Sequence, residues 1–291
     1  MNKVECVVAG GDQLGECATW DPRSKKVWWV DILAPSLQSY DPASGEHRRY
    51  PLPGRECGSF ALRKAGGFVL AMNNGLHAFD PATGTLQFLV DPEPGVDANR
   101  LNDGRADRAG RFWVGSMQSE MLEPEGSLYR IEPDLRVKRM IARILIPNSI
   151  AWSPDDRKFY FTDSRRRLIW SFDFDLASGT ISNRDVFAEL DGDVGGPDGS
   201  CVDAEGFLWN AQFRLARVVR YAPDGRVDRV IPIPTSNPTS CCFGGDQLDT
   251  LYVTTATFRM SEERRAAEPL AGGLFAIDVG VRGLPEPMFG G

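Results

Sequence analysis

Four residues with hard oxygen donors, Glu16, Asn102, Asn148 and Asp198, occupy one position in a short stretch that recurs along the chain. Aligned on Glu16, the six copies give a column of Glu16, Gly58, Asn102, Asn148, Asp198 and Thr239. An apolar residue follows four places later in each: Trp20, Leu62, Ala106, Trp152, Val202 and Phe243. Carboxylates and amide carbonyls suit Ca²⁺, Mg²⁺ or Mn²⁺ and hold Zn²⁺ or Fe²⁺ less well. A single Asn or Asp at the start of a strand is ordinary turn chemistry, and that reading stays open for any one position. Four in register, two of them acids, point instead to one divalent cation, because clustered carboxylates repel unless a positive charge compensates them.

Such a column needs a repeated scaffold to bring its members together. After each copy and a turn comes a second apolar run: Lys26 to Ile32, Gly67 to Met72, Arg111 to Met117, Lys158 to Asp163, Phe207 to Gln212 and Thr250 to Ala256. These runs are short, rich in Val, Phe, Trp and Tyr, and bounded by Gly, Asp and Pro, which predicts strands. A third, alternating strand follows, as in Leu37 to Asp41 and Leu274 to Asp278. Asp-Pro turns such as Asp41-Pro42-Ala43-Ser44-Gly45 then lead to a fourth, more polar strand.

The copies start 42, 44, 46, 50 and 41 residues apart. A four-stranded unit at that period predicts an all-β, six-bladed β-propeller with antiparallel strands, a single domain over residues 1–291. The sixth unit has only a weak fourth strand, so the segment Val4 to Val8 is expected to close the last blade and hide its edge. The first strand of each blade lines the central channel, which arranges the column as a ring at one mouth. Arg100, Glu120, the run Arg165 to Arg167, Phe213, Arg214 and the loop from Thr257 to Gly273 should rim the same mouth. Within that loop, Ser261 followed by Glu262 and Glu263 is compatible with a capped helical turn or a polar surface loop. Trp28, Trp113, Trp152 and Trp209 read as blade core.

Composition excludes several functions. A net charge of −7 argues against a nucleic-acid footprint and against an anionic membrane surface. No apolar run approaches a bilayer span and the first residues lack a signal peptide's apolar region, which leaves a cytoplasmic location by default. Six scattered cysteines predict buried thiols rather than a disulfide framework, and two histidines are too few for a multi-histidine zinc site.

Four motifs resemble the family that joins senescence marker protein, gluconolactonase and luciferin-regenerating enzyme. They are Leu14-Gly15-Glu16; Arg100-Leu101-Asn102-Asp103-Gly104 with Gly110 to Met117; Pro147-Asn148 with Ser153-Pro154-Asp155; and Pro197-Asp198-Gly199 with Asp203 to Gly206. Phe243-Gly244-Gly245 and Leu251 to Ala256 extend the likeness over nearly the whole chain. The resemblance implies a six-bladed propeller with one divalent cation in its channel. It also implies Glu16, Asn148 and Asp198 as ligands, Asp198 as general base, and Arg100, Asn102 and Glu120 as substrate contacts. The chain departs from the family at Cys17-Ala18, where Gly-Pro is common, and at Ser149, where Gly is usual.

The activity implied is hydrolysis of a pentonic or hexonic sugar lactone to its aldonic acid. The partner is then a small molecule, and the protein a monomer or small homo-oligomer. Two alternatives remain on the same scaffold: a hydrolase of other lactones or phosphotriesters, and a non-catalytic, cation-binding regulatory propeller.

Overall fold

The computed structural model describes residues 3–291. Six four-stranded antiparallel sheets form the blades of a β-propeller. Their inner strands are Gly15–Asp21, Cys57–Leu62, Asn99–Ala106, Pro147–Trp152, Gly196–Val202 and Pro238–Gly244. Each packs on its neighbour, and the last on the first, so the ring is closed. The N-terminal strand Val4–Val8 pairs with Leu274–Asp278 and supplies the outermost strand of the sixth blade, as the sequence predicted.

Burial falls outward along each blade. The inner strand Gly196–Val202 is buried throughout, whereas the outermost strand Thr180–Glu189 is almost wholly exposed. One hydrophobic cluster fills each seam; Trp113, Trp152, Phe159 and Phe174, for example, sit between the third and fourth blades. All four tryptophans assigned to the core are buried there. Trp113 and Trp209 keep their indole N–H satisfied by donating to Asp107 and Asp203, each six residues upstream, at 2.9 Å.

Side-chain bonds to backbone carbonyls stitch the inner strands across the seams. Ser59 Oγ donates to the Asn102 carbonyl and Ser149 Oγ to the Asp198 carbonyl, both at 2.6 Å. Thr239 Oγ1 does the same to the Gly15 carbonyl. A hydroxyl from every second blade thus holds the next inner strand, in two cases by the carbonyl of a column residue.

The C-terminal segment runs across the face opposite the column. Phe289 N donates to the Leu62 carbonyl and its own carbonyl accepts from Lys64 N, both at 2.8 Å. Phe289 is fully buried among Phe112, Val114 and Ile131. Glu286 pairs with Arg105 at 3.1 Å, so residues 284–287 cap the far end of the channel.

Ser261 caps a helix over Glu262–Ala267 by accepting from Arg264 N, which settles that loop in favour of a helical turn. All six cysteines are free thiols, and all but Cys6 are buried. Among the described residues no helix is long and apolar enough to cross a membrane.

Candidate functional site

The column residues lie in the first half of the inner strands, and a β-bulge follows Glu16 on the first blade and Asn148 on the fourth and encloses Asp198 on the fifth. The irregularities span Glu16 to Thr19, Asn148 to Ala151, and Pro197 to Ser200. A bulge re-aims the side chain beside it and ends the strand alternation. On the first and fourth blades the residue after the ligand candidate has left-handed backbone, Cys17 at φ 57° and Ser149 at φ 60°. Glycine takes that conformation freely, and a residue with a Cβ pays roughly 1 kcal/mol or more. This is the physical basis of the glycine usual at both places.

Both substitutes anchor themselves. Ser149 Oγ is 2.9 Å from Ser200 Oγ and accepts from Asn210 Nδ2 at 3.1 Å, besides its bond to the Asp198 carbonyl. The Cys17 thiol meets the Phe60 carbonyl at 3.4 Å.

A chain of hydrogen bonds crosses three blades and fixes the amide orientations. Arg100 Nη1 can only donate, so the Asn102 oxygen must face it, at 2.7 Å. Asn102 Nδ2 then donates to the Pro147 carbonyl at 2.9 Å and to Asn148 Oδ1 at 3.0 Å. Asn148 Nδ2 donates to Ser164 Oγ at 2.8 Å, and Ser164 Oγ donates to the Pro197 carbonyl at 2.7 Å. Asn102 therefore turns its nitrogen toward Asn148, and the oxygen donors left for a cation are those of Glu16, Asn148 and Asp198.

Electrostatics favours a positive ion at this place. Burial and the neighbouring Asp103 push the Glu16 carboxyl up to about 8. Burial first, then Glu16 and Asp103, raises Asp198 well above the usual carboxylate range. Asp198 Oδ1 is buried and takes no hydrogen bond from an N–H or hydroxyl group; its polar neighbour is the Glu16 carboxyl, and the two repel when both are ionised. A divalent cation between them would hold both carboxyls ionised. Among the described residues no group of three or more His, Cys, Asp or Glu side chains is placed to hold a metal. The fitting donor set is two carboxylates and one amide.

These residues face a cavity of about 230 Å³ lined by Glu16, Arg100, Asn102, Asn148 and Asp198, with Leu14, Ile146, Phe213 and Phe258 among its walls. Arg100 is itself buried and pairs with Glu56 at 3.6 Å; burial lowers its pKa against the pull of Glu56, Glu16 and Asp198. Arg165, Arg167, Arg214 and Arg259 stand around the same cavity, on the loops expected to rim it. Glu120 is exposed on its loop and does not line the cavity; its neighbour Met121 does.

Ser164 and Asp103 were not singled out from the sequence. Asp103 lies within the Arg100-Leu101-Asn102-Asp103-Gly104 motif, and its nearness to Glu16 and Asp198 is a property of ring closure. Ser164 belongs to a loop of the fourth blade with no repeated signature.

Comparison with known proteins gives consistent matches. The family model described as SMP-30/Gluconolactonase/LRE-like region matches residues 14–257. The chain is 37% identical over 293 residues to 6-deoxy-6-sulfogluconolactonase of Pseudomonas putida, covering 100% of both. It is 35% identical over 299 residues to regucalcin of Xenopus laevis, covering 99% of each. The crystal structure of a calcium-binding protein, regucalcin, from Agrobacterium tumefaciens superposes with a TM-score of 0.95 at 32% identity, over 99% of this chain and 97% of that one.

Proposed function

The chain belongs to the SMP-30/gluconolactonase/LRE-like family, and on that footing we propose that it hydrolyses a sugar lactone with the help of one divalent cation. The observation that carries the reading is the Asp198 carboxylate, a cavity-lining side chain whose Oδ1 is buried without a donor. The Pseudomonas putida relative, named for a gluconolactone derivative, supports the substrate class, and the calcium-binding regucalcin supports the cation.

Glu16, Asn148 and Asp198 would hold the cation. When bound it supplies Lewis-acid polarisation of a carbonyl. The Asp198 carboxylate accepts a proton from the water that attacks the lactone carbonyl carbon. The ring C–O bond breaks, and that proton passes to the departing ring oxygen, leaving a carboxylic acid and a hydroxyl.

Arg100 has its Nη1 hydrogens committed to the Leu101 carbonyl and to Asn102, while Nη2 has no partner among the described residues. That free edge orients a sugar hydroxyl or the carbonyl. Asn102, locked by Arg100 and Asn148, keeps the amide of Asn148 in place. Glu120, implied as a substrate contact by the family resemblance, stands exposed outside the cavity lining and is given no role in this reading. Leu14, Ile146, Phe213 and Phe258 restrict water to the attacking position.

The second reading, a cation-binding regulatory propeller without turnover, is favoured by the likeness to regucalcin. Proton release from a panel of pentonic and hexonic lactones, with chelator-stripped protein and each of Ca²⁺, Mg²⁺, Mn²⁺, Zn²⁺ and Fe²⁺, separates the two. Cation-dependent hydrolysis of at least one lactone is expected. Silence across the panel with folded, cation-bound protein overturns the hydrolase in favour of the regulatory reading.

A further inference from the structure

We infer that the mouth of the cavity holds a subsite for an oxyanion, so that the preferred lactone carries a carboxylate, phosphate or sulfonate at the end of its chain remote from the ring carbonyl. The inference rests on the lactone reading for the word substrate, and on three arginines for the charge.

Arg165, Arg214 and Arg259 come from loops of three successive blades and line one cavity. Each is exposed, and among the described residues none lies within ion-pair distance of a carboxylate. This sets them apart from cavity-lining Arg100, which pairs with Glu56, and from Arg166 beside them, which pairs with Asp163 at 3.4 Å. Arg167 is committed to carbonyls of residues 190, 191, 194 and 195 and ties down the connection into the fifth blade. Arg259 lies over the Phe258 ring at 5.2 Å and reaches Met121 Sδ at 3.9 Å, so its guanidinium is held at the mouth by apolar contacts rather than by an acid.

One acid, Asp193, stands among these cations in the cavity wall, and Glu120 lies on the loop beside Met121. The rim therefore remains cationic in a protein of net charge −7. Like-charged guanidiniums gathered without counter-ions repel one another, and an incoming oxyanion relieves that repulsion. The planar fork of arginine matches the paired oxygens of a carboxylate, phosphate or sulfonate. Glu16 and Asp198, which would hold the cation, are buried at the floor, and the three arginines are exposed at the rim. That polarity sets a lactone with its ring carbonyl down and its charged end up, and it steers the anion inward.

Kinetics on matched lactones test this. D-Glucono-1,5-lactone is compared with its 6-phosphate, a 6-sulfonate analogue and D-glucarolactone, using cation-loaded protein. At least one anionic lactone should exceed the neutral one in kcat/KM by about tenfold at low salt, with the gap narrowing as ionic strength rises. Arg214→Glu and Arg165→Glu should each lower kcat/KM about tenfold more for the anionic lactone than for the neutral one, and Arg214→Lys should restore part of it. Equal values for neutral and anionic lactones, or equal losses in the variants, overturn the subsite.

Calorimetric binding of D-gluconate 6-phosphate against D-gluconate keeps the two readings apart. Should no lactone be hydrolysed, the hydrolase falls, while about tenfold tighter binding of the phosphate, lost in Arg214→Glu, still upholds the subsite. Equal binding of the two acids overturns it whatever the turnover.

Discussion

Ser149 Oγ lies 2.6 Å from the carbonyl oxygen of Asp198, so a left-handed residue on the fourth blade holds the strand that carries the candidate base on the fifth. The same hydroxyl accepts from Asn210 Nδ2, which also donates to the Asp198 carbonyl at 2.9 Å. The serine thus trades backbone strain for a buried network that fixes Asp198 from behind. Removing the hydroxyl and relieving the strain are separable by substitution.

Ser149→Ala keeps the strain and leaves a buried carbonyl with one donor fewer, a loss of about 1–3 kcal/mol. Ser149→Gly loses the same bond but recovers roughly 1 kcal/mol of left-handed strain. Urea unfolding should therefore rank the wild type first, the glycine variant second and the alanine variant last. An alanine variant as stable as the glycine one would contradict the strain at φ 60°.

Glu16→Gln addresses the cation. In chelator-stripped protein the variant should melt above the wild type, because a neutral amide no longer faces Asp103 and Asp198. Added cation should then stabilise the wild type, by about 2.7 kcal/mol at a hundred times its dissociation constant, and the variant far less. A cation-induced rise in Tm that survives the substitution removes Glu16 from the ligand set.

Asp198→Asn preserves shape and removes the proton acceptor. Lactone hydrolysis should fall by roughly 10²–10⁴-fold, the usual share of a general base, with the circular dichroism spectrum unchanged. Retained turnover would end the assignment of Asp198 as base.

His77 is buried, its ring edge-on to Phe88 at 5.4 Å, and desolvation holds its pKa below the ordinary imidazole value, against a bond to the Gly75 carbonyl. The unfolded chain then takes up a proton below about pH 6.5 that the folded chain refuses. His77 costs no stability above that pH, and stability drains away as the pH falls from there through the lowered folded value. Between about pH 7.5 and 5.5 the wild type should lose more unfolding free energy than His77→Gln. Equal losses would mean that His77 titrates as it does in the unfolded chain.

Phe289 is fully buried and should behave as core, although only Gly290 and Gly291 follow it in the sequence. Phe289→Ala should cost about 3–5 kcal/mol and leave KM for the lactone near its original value, since the segment packs on the face opposite the cavity. A KM effect larger than the stability effect would link the cap to the site.

The architecture was legible in the sequence because a propeller repeats its local rules. Asp-Pro-x-x-Gly turns, alternating third strands and a period near 45 residues each follow from backbone chemistry within one blade, and six copies make the pattern hard to mistake. The column Glu16, Asn148 and Asp198 was legible for the same reason: equal register in equal units becomes a ring when the units close. Even the N-terminal strand could be placed, since a sixth blade with a weak outer strand needs a partner for its edge.

The sequence alone determined which side chains share a level of the channel, and which residue types break the glycine rule beside them. Only the tertiary structure decided which way each amide points, because the orientation of Asn102 is set by Arg100 on one side and, on the other, by Asn148, which lies 46 residues from Asn102 in the chain. It alone placed Ser164 behind Asn148, left Asp198 Oδ1 without a donor, and put Glu120 on an exposed loop. The physical reason is range: turns and strand alternation are local along the chain, whereas hydrogen-bond partners, desolvation and charge clustering arise between blades and exist only when the ring is closed.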